Sequence, residues 1–419
     1  MLYNYIMIRK AIVAVVVVAV VGVGVFYYFK KTTVVSTTTG GLFGAQTSTT
    51  TNKTDVLPEV ATGTQPAFIP GSGQAIPRLY ELHNTPVAGV TFVEMGSGKK
   101  YVVSARYIER AVGNIFDTDL STYVESRIVN ETRSRLSEAL WGQNGKSVVI
   151  RSLVGSVIKT SILNLSNPTK ALAPDGTKNF MTVAEISLPD SIPFMATAED
   201  GTNKLFYLQN GTSAVGSITT FKNTSTSKSF TSLFKEWIPQ FPNQNLVTLT
   251  TKASVNTPGF LFFLNTKTKA LNKILGDING LTTLTNQDGS MILYSETKDG
   301  LPKLSVYDIQ NKEKRDLSIQ TLAEKCVWGK KETSVVYCAV PRTIPEAFYP
   351  DQWYQGSVQF SDSLWKIDTK TTIAQEIATS QDFKFFKLDI TNMGISSNDV
   401  YLLFINKTTD TPWVFRITE

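Results

Sequence analysis

A single histidine in 419 residues is the most restrictive feature of this chain. His83 would have to fill any triad, imidazole-base or imidazole-metal role alone, so multi-histidine metal centres and the H-E-x-x-H zinc helix are excluded. Its plainer reading is a packed or rim residue. Cysteine is almost as scarce: Cys326 and Cys338 are the only two, too few for a zinc cluster or a disulfide-framed miniature domain. Long stretches with a 3.6-residue apolar period are missing, which argues against a helical body; Ser229 to Phe241 is the one place where a short helical turn is expected. No basic stripe runs along the chain, so nucleic acid is not an expected partner. Gly96-Ser-Gly-Lys99-Lys100 has the composition of a phosphate loop, but it lacks the leading glycine at Walker spacing and sits between two strands.

What charge there is lies unevenly. The net charge is +6, and Arg9, Lys10, Lys30 and Lys31 supply four of those charges; Lys53, Asp55 and Glu59 together subtract one, leaving +3 from residue 78 onward. Residues 11–29 carry no charge and, at about 1.5 Å per residue, are long enough to cross a bilayer as a transmembrane α-helix. Phe26 to Phe29 then form an aromatic collar against Lys30 and Lys31. A cleaved signal peptide is the competing reading, but bulky aromatics stand where small residues are needed, and Phe43-Gly-Ala45 is a poor substitute site. We therefore expect a cytoplasmic tail (1–10), an anchor (11–29), a Thr/Ser/Gly/Pro-rich tether (30–77) and a folded body (78–419). The tether has too little apolar surface to offset its ordering entropy, and as a coil it reaches about 35 to 40 Å. The amino terminus tips the tail towards the cytoplasm, so the protein is expected to be single-pass in the cell membrane with its body extracytoplasmic.

The body repeats. Asp200, Gln244, Asp288 and Glu332 follow one another at intervals of 44 residues, each a polar turn leading into an apolar strand. Asp200-Gly201 and Asp288-Gly289 suit turns that need a positive φ. Weaker copies stand at Gly96-Ser-Gly98, Asn144-Gly145 and Ser397-Asn398, making seven. Apolar runs of four to eight residues rich in Val, Ile, Tyr, Phe and Thr predict an all-β, seven-bladed β-propeller of four-stranded antiparallel blades. Wider spacings predict a long outer loop around Asn164 to Phe180 and an insertion of about 22 residues in the sixth unit. Arg78 to His83 is expected to pair with Trp413 to Glu419 and close the ring. Cys326 and Cys338, equidistant from Glu332, are expected to face each other across a hairpin and form a disulfide; two buried thiols are the alternative.

The Asp-Gly turn followed by an apolar strand ending in Tyr, as in Leu284 to Ser295, resembles the repeat of TolB-like bacterial β-propellers. Glu324-Lys-Cys-Val-Trp328, Val335 to Pro341 and Tyr349-Pro-Asp-Gln-Trp-Tyr354 resemble a group of membrane-anchored bacterial propellers. The resemblance spans residues 78–419 and implies a fold rather than an activity.

Chemistry has few places to reside. Asp117 and Asp119 share one strand face, and Asp362 and Asp368 flank Leu364-Trp365; such carboxylates could act as acid and base in a glycan- or peptide-cleaving hydrolase or lyase. Turn caps and solvated strand ends are their commoner use. No cofactor or metal is expected, since a calcium in the channel has no ligand loop to support it. Residues 342–360 hold five aromatics and two prolines, so Phe348, Tyr349, Trp353 and Tyr354 are candidate binding residues. Folding over the channel as a plug, with these rings as local core, is the alternative. Arg106 and Arg110 belong to a second charged connection, for which internal salt bridges compete with binding. The function expected is a membrane-held binding or scaffold module whose partner is an envelope protein or a glycan.

Overall fold

Runs such as Val148-Val149-Ile150 are apolar on both strand faces, so a sheet built from them must be covered on both sides. The computed structural model solves this radially. It describes residues 68–419 except 71, 73, 97–100, 143–144, 169–179, 379–381, 385 and 419. The expected tail, anchor and most of the tether lie outside the described residues, among which no helix is long and apolar enough to cross a membrane. Seven four-stranded antiparallel sheets follow one another along the chain. Blade 1 runs from Val87–Met95 to Glu125–Val129, blade 2 from Leu136–Gly142 to Thr182–Ser187, and blade 3 from Met195–Thr197 to Thr226–Ser232. Blade 4 spans Trp237–Asn243 to Leu271–Asn279, blade 5 Thr282–Thr285 to Glu313–Asp316, and blade 6 Cys326–Trp328 to Ala374–Glu376. Blade 7 takes three strands from Ile390–Ile395 to Thr411–Arg416 and its fourth, Leu79–Glu81, from the other end of the body. The expected closure is present, with Leu79 opposite Phe415 and Glu81 opposite Trp413. The protein is a seven-bladed β-propeller.

Apolar packing sits between blades. Val148 and Ile150 face blade 1, whereas Val149 faces blade 3, so alternate residues of one strand serve two neighbours. Each of the seven blade junctions has its own cluster, and the largest joins blade 6 to the closing blade through Tyr337, Leu364, Phe404 and Phe415. This is why fixed-period repeats suffice to specify the ring: every blade needs both neighbours to bury its faces.

Among the described residues the repeated polar turns lie between the first and second strands, on one rim that we call the tip face; residues 97–98 and Asn144 of the turns expected in blades 1 and 2 lie outside the described residues. Gly201 and Gly289 there have φ of 73° and 79°, as the Asp-Gly reading requires. The 44-residue period reappears as hydrogen bonds between equivalent positions: the Gln244 amide donates to Asp200 Oδ2 at 2.6 Å, and Asn243 Nδ2 to the Gln287 carbonyl at 2.8 Å. Blade-to-blade connections and the turns between second and third strands occupy the opposite face. The sixth-unit insertion lies there, between Val335–Pro341 and Asp362–Asp368.

Two local expectations are corrected. Ser229 to Phe241 forms no helical turn but parts of the strands Thr226–Ser232 and Trp237–Asn243, because Phe230 and Trp237 face one interblade core and Pro239 removes a helix donor. Arg106 is on a strand, Val102–Glu109, not a loop. Ordered packing also begins ahead of residue 78, since Phe68 sits edge-on to Tyr80 and Tyr123, and Tyr123 Oη donates to the Pro77 carbonyl at 3.1 Å.

Candidate functional site

The inner strands of a propeller converge without meeting, and here they leave a channel mouth of about 810 Å³ opening at the tip face. Its wall draws on blades 1, 2, 3, 5, 6 and 7, mixing Phe92, Tyr101, Trp141 and Trp328 with Glu94, Glu199, Asp288 and Lys330. Trp141 is buried, yet its indole Nε1–H has no acceptor among the described residues. Trp328, also on this wall, spends its indole donor on the Leu284 carbonyl at 3.1 Å.

Tip-to-tip bonds hold this rim. Asp399, at φ 56°, is almost fully buried, and its carboxylate accepts the amides of Lys330 (2.8 Å), Lys331 (3.2 Å) and Glu332 (2.9 Å), fixing the blade 6 turn against blade 7. Gly329 is required beside it, because a Cβ there would stand 2.6 Å from the Glu332 carbonyl oxygen. Between blades 7 and 1, Glu94 accepts both the amide (2.7 Å) and the hydroxyl of Ser397, and Tyr101 Oη pairs with that hydroxyl at 2.9 Å. Gln287 Nε2 donates to the Glu199 carbonyl at 3.2 Å.

Two acids of the mouth titrate differently. The Glu199 side chain meets channel water but is walled in by protein, and this loss of bulk solvent pushes its pKa up to about 7; Lys330 opposes the shift and Asp200 adds to it. Burial acts on Glu94 in the same sense, but hydrogen bonds from Ser397 and Tyr101 outweigh it and hold this carboxyl below its ordinary value.

The sequence-predicted residues fall elsewhere. In the insertion, Tyr349 and Trp353 pack with Leu322 and Phe360 in a local core, which withdraws both rings from the surface. Phe348 is 62% exposed and Tyr354 37%. The insertion is pinned across two blades: Asp351 accepts the Val255 amide at 2.8 Å, and Thr297 Oγ1 donates to the Tyr349 carbonyl at 2.7 Å. Arg106 is buried and grips Asp117 with Nε and Nη2, each at 2.6 Å, while Nη1 donates to the Gly145 carbonyl at 2.8 Å. Arg110 pairs with Asp410 at 2.5 Å. Both arginines therefore join blades.

Asp119 and Asp368 cap turns, accepting Ser121 (2.7 Å) and Lys370 (2.8 Å) amides. His83 lies just beyond the closing strand, between Glu109 (3.3 Å) and Glu125 (2.9 Å). Burial works against its charged form, but the hydrogen bonds and charges of the two glutamates outweigh it and raise the pKa. Among the described residues no group of three acids, histidines or cysteines could hold a metal ion. Cys326 and Cys338 are directly opposite and disulfide-bonded, with Cα atoms 4.0 Å apart.

Neither a family model nor a curated protein matches the sequence. Similar solved structures include an oligogalacturonate lyase in complex with manganese, at 11% identity and TM-score 0.47, covering 83% of this chain and 99% of that one. An oligogalacturonate lyase from Vibrio parahaemolyticus aligns at 10% identity and TM-score 0.48, covering 84% and 96%. TolB from Acinetobacter baumannii aligns at 9% identity and TM-score 0.42, covering 68% and 78%.

Proposed function

We propose that the protein is a binding module that receives a positively charged segment of a partner protein in the channel mouth of the tip face. The observation that carries this reading is the mouth itself. Six blades contribute to a recess of about 810 Å³, within the range of ligand sites, where aromatic wall and polar groups converge. Three carboxylates against one lysine favour a cationic guest. Rigid blades hold these groups in place, so little ordering entropy opposes binding. The charge-free run at residues 11–29 and the disulfide, which is at home in an oxidising compartment, support a single-pass protein presenting this propeller outside the cell membrane.

A second reading has one observation in its favour. Two carboxyls in one channel with opposite shifts, Glu199 up and Glu94 down, form the pattern of an acid and base pair in a hydrolase or lyase. The bonds from Ser397 to both oxygens of Glu94 weigh against it, since they occupy the group that would have to act as base.

A photo-activated cross-linker at Thr333, on the channel rim, tests the first reading against the same group at Val154, on the opposite face. Capture of one partner from Thr333 alone, lost on Glu199→Lys, is the expected result. Equal capture from both positions, or capture indifferent to Glu199→Lys, would overturn it.

A further inference from the structure

On the face opposite the channel mouth, a lysine and two aspartates are wholly buried together. Lys325 ends the turn that leads into blade 6, Asp362 begins the third strand of that blade, and Asp389 immediately precedes blade 7. All three side chains have no exposed surface. Lys325 Nζ lies 2.7 Å from Asp389 Oδ1, 2.9 Å from Asp362 Oδ2 and 2.7 Å from the Ile390 carbonyl, so its three donors point at fixed acceptors. The rings of Trp353 and Phe360 cover the ammonium, at 4.9 and 5.1 Å from Nζ. Asp389 Oδ2 accepts the Trp353 indole N–H at 2.9 Å and the Phe360 amide at 3.2 Å. Asp362 Oδ1 is buried with no partner among the described residues.

We propose that Lys325 and Asp389 condense into an intramolecular amide bond that staples blade 6 to blade 7, with Asp362 carrying the protons. Asp362 takes a proton from the Lys325 ammonium, and the freed amine attacks Cγ of Asp389. The developing charge falls on Oδ2, where the Trp353 and Phe360 N–H groups already point, as in an oxyanion hole. Asp362 passes protons from the nitrogen to Oδ1, the Cγ–Oδ1 bond breaks, and one water leaves. An ammonium and a carboxylate become one amide and one water, so no outside reagent enters the balance.

Two physical effects favour the reaction here. Groups held in contact react as if at effective concentrations of about 10⁵ M or more. An ion pair also loses most of its hydration in such an interior, whereas an amide costs much less to bury. Burial pushes the Asp362 carboxyl up to about 6, against the pull of Lys325, which suits it to exchange protons near neutrality. The bond would adjoin the Cys326–Cys338 disulfide, so consecutive residues would each carry a cross-link. The inference is independent of the channel reading.

Intact mass spectrometry of the full-length protein after disulfide reduction is the test. The expected mass is lighter than the sequence by one water, with no tryptic cleavage after Lys325 in the denatured chain and a branched peptide joining Lys325 to Asp389. A full sequence mass with normal cleavage at Lys325 would overturn the proposal without recourse to any variant. Asp389→Asn should reach the same cross-linked product by expelling ammonia, whereas Asp389→Ala should not cross-link. Asp362→Ala, confirmed folded by circular dichroism, should keep the sequence mass; loss of water in that variant would remove Asp362 from the mechanism.

Discussion

Asp399→Ala is the substitution whose consequence follows most directly from the geometry of the channel rim. The Asp399 carboxylate accepts three backbone N–H groups of the neighbouring blade, and each hydrogen bond to a charged group contributes about 1.5 to 3 kcal/mol. The Lys331 amide is shared between both oxygens and the freed Lys330 and Glu332 amides regain water, so the lower end applies and the three bonds sum to about 4.5 kcal/mol. Alanine also lacks the local side-chain hydrogen bonding that lets aspartate tolerate the φ of 56°, adding about 1 kcal/mol. Asp399→Asn keeps that tolerance and one acceptor oxygen, and should lose about half as much. At about 2 °C per kcal/mol for a domain of this size, thermal unfolding should fall by about 11 °C in the alanine variant and about 5 °C in the asparagine variant. An alanine variant within about 2 °C of wild type, or the two variants falling equally, would refute the reasoning.

The closing strand should be equally sensitive: Leu79→Asp buries an unpaired charge at the blade 7 edge and should cost about 3 to 5 kcal/mol, measured by denaturant unfolding. Trp353→Ala should destabilise by about 3 to 5 kcal/mol, while Phe348→Ala, on the same insertion but exposed, should change stability by less than about 0.5 kcal/mol. Because the folded pKa of His83 is raised above 6.5, its ion pairs stabilise fully below that pH and are lost as pH rises through the folded value. The melting-temperature gap between wild type and His83→Gln should therefore be wide at pH 6 and narrow at pH 9. Glu199 is raised as well, but as an acid its charged form is the disfavoured one, so Glu199→Gln should raise the melting temperature above pH 7 and leave it unchanged near pH 4.

The ring was legible because its physics is periodic. An Asp-Gly pair needs a positive φ, an apolar strand must follow it, and each blade needs two neighbours, so the tips at Asp200, Gln244, Asp288 and Glu332 marked the blades at equal spacing. The disulfide was readable for the same reason, since symmetric positions about one turn face each other. The helical turn placed at Ser229 to Phe241 failed because Trp237, Pro239 and Phe241 alternate with period two, the spacing of a strand rather than a helix. The insertion was located correctly, yet composition alone does not say which aromatics turn inward; Trp353 does so because its indole N–H finds a buried carboxylate 36 residues away. Glu199 and Lys330 were missed because a channel exists only after seven blades close, and no local pattern announces it. Lys325 left only a local trace, a lysine immediately ahead of the strand Cys326–Trp328.

The central claim is that the channel mouth binds a cationic segment, and the pH dependence of capture at Thr333 tests it most directly. Deprotonation of Glu199 adds negative charge to the mouth, so cross-link yield to the captured partner should rise as pH passes through about 7 in wild type and stay level in Glu199→Gln. The same rise in both proteins, or a fall in wild type, would contradict a cationic guest held by Glu199.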